Sequence, residues 1–202
     1  MTPPTPNQPF DSPPPRTKAA ASRRCAGLLT LVVIIGLGSP ARAADSRERI
    51  HTVIAAMIVK LPSFAKWPAQ PPQAESGTAT LAVATRDKDV LATFRKGVEG
   101  RTIGNLTWRV EQASTLAEAA RHQFVFFASD APKPDADWYE ARREKGVLTF
   151  GEGGENSCIF DFVIVDGRVR FDLNMVQAQA AGMGIDPRLL KLARSVRHKS
   201  GA

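Results

Sequence analysis

A chain of 202 residues with 27 lysines and arginines against 20 aspartates and glutamates carries a formal net charge of +7, but residues 1–43 hold five of the basic residues and one of the acidic ones. The remaining 159 residues carry 22 against 19, a net +3 without an aromatic-interleaved basic stripe, which excludes the electrostatic footprint of a nucleic-acid-binding protein. A domain of that size buries about 70% of its unfolded surface without staples, and Cys158, the one cysteine beyond residue 43, excludes an intramolecular disulfide.

The first segment reads as an export signal. Arg16, Lys18, Arg23 and Arg24 precede an apolar run from Ala26 to Gly38, which falls short of the roughly 20 residues that a helix needs to cross a bilayer. Ala41-Arg42-Ala43 places small residues at the two positions a signal peptidase reads, so residues 1–43 are expected to be removed and 44–202 to form a single periplasmic domain with no stable membrane anchor. Ser22-Arg23-Arg24 leaves twin-arginine export open beside the general route.

From Ser46 to about Ala65 the residues Ile50, Val53, Ile54, Met57, Ile58 and Leu61 recur at helical spacing, with Arg47, Glu48, His51 and Lys60 on other positions. Pro62 and Trp67-Pro68 end this helix, because proline disfavours helical geometry in the residue before it. Strands are then expected at Thr80–Thr85, Leu106–Gln112, Gln123–Ala128 and Val147–Phe150. Helices alternate with them at Asp89–Lys96, from a Ser114 cap onward, and at Asp135–Lys145. This alternation predicts an α/β fold, a mostly parallel sheet with helices on both faces. The run Phe124-Val125-Phe126-Phe127 lacks polar alternation and marks a central strand.

Asp166-Gly167 between Cys158–Val165 and Arg168–Met175 predicts an antiparallel hairpin at one edge of the sheet. On its second strand Val169, Phe171, Leu173 and Met175 alternate with Arg168, Arg170, Asp172 and Asn174, so the polar set is expected to face water or a partner. A last helix restarts at Asp186-Pro187, with Leu189, Leu190, Leu192, Ala193 and Val196 as its buried face.

Catalytic and cofactor patterns are missing from the sequence. His51, His122 and His198 lack metal-ligand spacing and read as surface histidines. No nucleophile elbow surrounds a serine. The cluster Gly151-Glu152-Gly153-Gly154-Glu155 carries two acids and leads into another strand, so it reads as a tight turn and not a phosphate loop. The expectation is a protein without catalytic residues, metal or cofactor.

Three blocks carry a family resemblance. They are Lys60-Leu61-Pro62-Ser63-Phe64-Ala65-Lys66-Trp67-Pro68, then Leu148-Thr149-Phe150-Gly151-Glu152. The third runs Gly167-Arg168-Val169-Arg170-Phe171-Asp172-Leu173-Asn174, continuing through Ala181-Gly182-Met183-Gly184-Ile185 and Arg188-Leu189-Leu190-Lys191-Leu192-Ala193. In these the chain resembles the YfiR family of periplasmic regulators. The resemblance implies a Rossmann-like α/β sandwich that tends to dimerise. It also implies a function: binding the periplasmic sensor region of an inner-membrane diguanylate cyclase and lowering cyclic di-GMP output. Asp186-Pro187 and the single mature cysteine depart from the family pattern, so redox control through internal bridges is not implied.

A partner-binding surface is expected at the hairpin and the Trp67 corner. Its candidates are Arg170, Asp172 and Asn174, with Glu152 and Arg188 nearby and Phe64 with Trp67. Two readings stand for each group: the aromatics are contact residues or core, and the polar residues meet a partner or make structural bonds. A periplasmic small-molecule binder, acting on another membrane signalling protein, is the alternative function, since open α/β sheets offer a crevice where topology switches.

Overall fold

The computed structural model describes residues 40–68, 77–154 and 157–198, with side chains from residue 44. The expected leader therefore lies almost wholly outside the described residues. Helix α1 (Pro40–Ile58) is followed by a 3-10 turn, Leu61–Phe64, with Pro62 in its first turn. The helix stops one turn earlier than its apolar spacing predicts.

Eight strands form one sheet in the order β10-β8-β7-β6-β5-β2-β4-β3. The parallel centre comprises β2 (Thr78–Ala84), β4 (Leu106–Ala113), β5 (Phe124–Phe127), β6 (Leu148–Glu152) and β7 (Phe160–Val165). The short β3 (Thr102–Ile103) closes one edge antiparallel to β4. At the other side β8 (Arg168–Asn174) pairs antiparallel with β7. Asp166 and Gly167, both at positive φ (50° and 70°), make the turn whose twist matches the two strands. Outside β8 lies β10 (Ser195–Arg197), parallel to it and opposite Asp172–Asn174.

The predicted edge is thus corrected in two ways. The hairpin's second strand is outermost only in its first half, and the last helix is reduced to α6 (Pro187–Leu190), capped by Asp186 as expected. Val196, placed on a helix by its spacing, belongs to β10.

The remaining helices are α2 (Lys88–Val98), α3 (Leu116–Ala119), α4 (Ala136–Glu140) and α5 (Met175–Ala180). Asp87 caps α2, Asp135 caps α4, and Thr115 rather than Ser114 caps α3. Ser114 instead donates its backbone N–H to Glu118 at 2.7 Å. A two-strand ribbon of β1 (Ala65–Lys66) and β9 (Gly184–Ile185) ties the end of the 3-10 turn to the segment before α6.

Both faces of the sheet are covered, as expected. Helices α1 and α2 pack on the larger core, in which Phe94 lies 4.5 Å from Phe126 and Trp108 4.9 Å from Phe124, centroid to centroid. On the opposite face α3 and α4 cover Ala82, Val125 and Phe127, with Trp138 edge-on to Phe127. The FVFF strand is buried at all four positions, which is why it lacks polar alternation.

Candidate partner-binding surface

In a doubly wound sheet ligands bind beyond the carboxyl ends of the strands where successive crossovers diverge. Here that point lies between β2 and β5, because the chain leaves β2 for β4 and then returns to β5 on the other side of β2. The chain fills this seat itself. Asp130 accepts the Thr85 hydroxyl at 2.9 Å and the backbone N–H groups of Arg86 and Asp87 at 2.7 and 3.1 Å. One strand over, Glu152 accepts the Ser129 N–H at 3.2 Å and sits 3.2 and 3.3 Å from His51 Nε2. Two carboxylates therefore stand where an anionic ligand would be cradled.

His51 is only 3% exposed, against the surface position expected for it. It joins α1 to the end of β6. Burial resists ionisation of Glu152, but the His51 and Ser129 contacts outweigh it and hold the carboxyl below its ordinary value. Beside this pair, a groove of about 520 Å³ runs between α1 and α2, with seven of its eleven lining residues charged or histidine. Ion pairs Arg47–Asp87 (3.7 Å) and Lys96–Glu48 (3.4 Å) cross from α1 to α2 and its capping residue.

Gly151 to Gly154, read as a tight turn, belong to a different device. The seven residues between Glu152 and Phe160 return the chain to a strand parallel to the one it left. Such crossovers usually take a dozen residues or more. Asp161 holds the return by accepting the Cys158 N–H at 3.2 Å, and the Thr149 hydroxyl accepts Ile159 N–H at 3.0 Å. Cys158 is buried there, and burial followed by the nearby Asp161 charge pushes its thiol up to about 12. Burial, then Cys158 itself, also pushes the Tyr139 phenol up. A thiol held in this way is a poor nucleophile. The folded protein is expected to leave iodoacetamide unreacted at neutral pH, with alkylation of Cys158 appearing only in denaturant, as intact mass would show. Among the described residues no three His, Cys, Asp or Glu side chains are grouped to hold a metal ion.

The seven candidate contact residues fall in separate places. Asp172 is 1% exposed and Asn174 3%, so two of the three contact candidates on β8 are covered. Arg194 reaches back from the segment before β10 and grips Asp172 with both Nε (2.8 Å) and Nη2. Asn174 caps α5, accepting Val176 and Gln177 N–H groups at 3.1 and 3.2 Å. For both residues the structural role explains the burial. Arg170 alone of the three stays exposed. At the opposite end of the sheet Trp67 is half-buried, edge-on to Phe124 at 5.5 Å. Phe64 lies below the Arg188 guanidinium, 5.9 Å from ring centroid to Cζ, and Arg188 is forked onto Asp186. Glu152 is bound to His51, as above, and touches neither group.

Hydrogen bonding from Arg194, opposed by burial, keeps the Asp172 carboxyl below its ordinary value. Both Asp172 and Glu152 therefore ionise more readily folded than unfolded. Their stabilisation is complete above the ordinary carboxylate range and is lost as pH falls through their lowered values, below about pH 4. Denaturation midpoints should drop over that interval, and the double variant Asp172→Asn with Glu152→Gln should show a shallower drop.

What periodicity missed is apolar. The buried face of α1 centres on His51, Ile54, Ala55 and Ile58, so Val53 is turned out to 46% exposure, with Ile50 and Met57 half-buried beside it. Ile164, near the hairpin turn, is 47% exposed, and Leu192, just before β10, 65%. The signal was in the sequence: Ile50, Val53, Ile54, Met57 and Ile58, five large apolar residues on α1, make a stripe wider than one sheet face can cover.

The region from His51 to Arg194, which contains the His51–Glu152 link, the short return and the Asp172–Arg194 clamp, matches the YfiR/HmsC-like family model over residues 51–194. The chain belongs to the YfiR/HmsC-like family. No curated protein matches it. The YfiR/HmsC-like match begins inside α1 and ends where Arg194 meets β8, so it takes in every strand of the large sheet except β10. The family is a regulatory one, and among the described residues no helix of this YfiR/HmsC-like chain is long and apolar enough to cross a membrane.

Proposed function

We propose that this protein is exported to the periplasm, binds the periplasmic region of an inner-membrane diguanylate cyclase, and lowers cyclic di-GMP production without touching that nucleotide. The family match over residues 51–194 carries this reading. Two structural features support it. The ligand seat of the sheet is filled by Asp130 and Glu152, and the buried Cys158 is a poor nucleophile. A regulator of this kind acts by binding one state of its partner better than the other. Of the candidate residues, Arg170, Phe64 and Arg188 are proposed to reach the partner, while Asp172, Asn174, Glu152 and Trp67 shape the surface from beneath.

Deleting the gene should raise cellular cyclic di-GMP, and the full-length chain with its leader should restore it. An unchanged level in the deletion strain contradicts the proposal. The α1–α2 groove favours a second reading, a small-molecule sensor acting on a membrane signalling protein. A thermal-shift screen of periplasmic metabolites in which none raises the melting point counts against it.

A further inference from the structure

Strand β8 is covered on its outer side over only part of its length. β10 lies opposite Asp172–Asn174, and among the described residues no strand pairs outside Arg168–Arg170. The hairpin decides which backbone groups this leaves open. The two-residue turn Asp166-Gly167 makes Val165 and Arg168 the closing bonded pair, and the bonding of an antiparallel ladder repeats every second residue, so Arg168 and Arg170 bond inward to Val165 and Val163. The backbone groups of Val169 and Phe171 therefore point outward. The Phe171 carbonyl agrees, since it accepts the Arg194 N–H at 2.8 Å from the segment leading into β10. The outward N–H and C=O of Val169 have no such strand beside them.

An open edge of this kind is a template for a further strand, and the side chains around it choose which. Arg168 and Arg170 are exposed on one face of the sheet, and by register Arg197 of β10 stands on the same face. The acids that β7 and β8 carry there, Asp161 and Asp172, are 2% and 1% exposed, and Arg194 grips the second of them. The exposed acid nearby is Asp166, in the turn. On the other face Val169 is half-buried and pairs with Ile164, which is 47% exposed. A strand that fits has acids on the side of Arg168 and Arg170 and an apolar residue on the side of Val169 and Ile164. A second copy of β8 does not fit, because two-fold pairing about Val169 sets Arg168 opposite Arg170, and like charges opposite one another are destabilising.

We infer that the open edge of β8 receives an extended acidic segment of the membrane partner as an added strand, held by the Val169 backbone and by Arg168 and Arg170. The inference rests on the proposed function for the identity of that partner but not for the chemistry of the edge.

The test places p-benzoylphenylalanine at position 164 of the full-length chain in its own cell, with position 95, exposed on α2, as control. Irradiation should join position 164, and not position 95, to a segment of a membrane protein rich in Asp or Glu. Arg168→Glu with Arg170→Glu should weaken that complex by about 10-fold or more, and replacing the segment's acids with arginine should restore binding to the reversed variant but not to the wild type. Hydrogen exchange separates an added strand from contact through side chains alone. With a synthetic peptide of the cross-linked segment bound, the Val169 amide should exchange about 10-fold more slowly or better. Matched melting points check that the reversed variant is folded; if it is not, exchange at Val169 in the wild type decides.

A cross-link to a basic segment, to a second copy of the chain or to lipid overturns the inference. So does equal labelling from both positions, none from position 164, or a Val169 amide that exchanges as fast with the peptide as without it. A cross-link to an acidic segment of a protein other than a cyclase, with protection of Val169, sustains the added strand and removes the proposed function. A rise of cyclic di-GMP on gene deletion, with a complex that the arginine reversal leaves unchanged, does the reverse.

Discussion

Phe126→Ala is expected to destabilise the protein by about 3–5 kcal/mol, the usual cost of emptying an aromatic site at the centre of a core. Phe126 has no exposed surface and lies on the strand between β2 and β6, in register with Val83 and Phe150. Its ring packs at 4.5 Å on Phe94 of α2, so the cavity would open between the sheet and the helix layer. Neither side can collapse easily, because α2 is held at its cap by Asp87 and β5 by strands on both sides. Urea denaturation should show the loss as a lower midpoint with an unchanged slope. A shift under about 1 kcal/mol would mean that the ring is less confined than its burial indicates.

The second large effect is expected from the smallest change, Gly151→Ala. A Cβ on Gly151 would stand 2.3 Å from Asp161 Oδ1 and 3.0 Å from Cys158 Sγ. Asp161 cannot simply turn away, since its other oxygen accepts the Cys158 N–H that fixes the return from β6 to β7. Overpacking of this sort costs about 1–3 kcal/mol, and displacing a buried carboxylate from its donor adds to it. We therefore expect a loss of about 3 kcal/mol or more, together with exposure of Cys158 to iodoacetamide in the folded state. Gly153→Ala, where nothing lies within 4 Å of the added carbon, reports only the cost of a positive φ and should be milder.

These two sites also show what could be read from residues alone. The FVFF run, the Asp166-Gly167 turn and the starts of α2 and α4 are local signals, and each appears within a residue or two of its expected place. Alternation on β8 correctly separated two faces, but it could not tell whether anything covers the polar one. Asp172 is covered by Arg194, twenty-two residues on, through a β10 strand too short to announce itself. His51 failed for a related reason: its burial is stabilised by Glu152, a partner 101 residues away. The exposure of Val53 was legible only as a surplus of apolar positions on α1, because which of them lie outside depends on how the helix is rotated on the sheet.

Asp130 was invisible in the same way, although it bears most directly on function. Its carboxylate holds the Arg86 and Asp87 N–H groups at the switch point, so a seat that the fold offers to anions is closed by the chain itself. What remains available to other molecules is surface, including the groove between α1 and α2.

The central claim, that the protein acts by contact on a cyclase, is tested most directly by reconstitution. The membrane cyclase whose deletion suppresses the high cyclic di-GMP of the mutant strain is placed in proteoliposomes with its periplasmic region outward and GTP inside, and the purified chain is titrated outside. Saturable inhibition is expected, reaching its limit at a fixed ratio of the two proteins. Undiminished cyclic di-GMP synthesis at saturating protein, with no complex recovered, would contradict it.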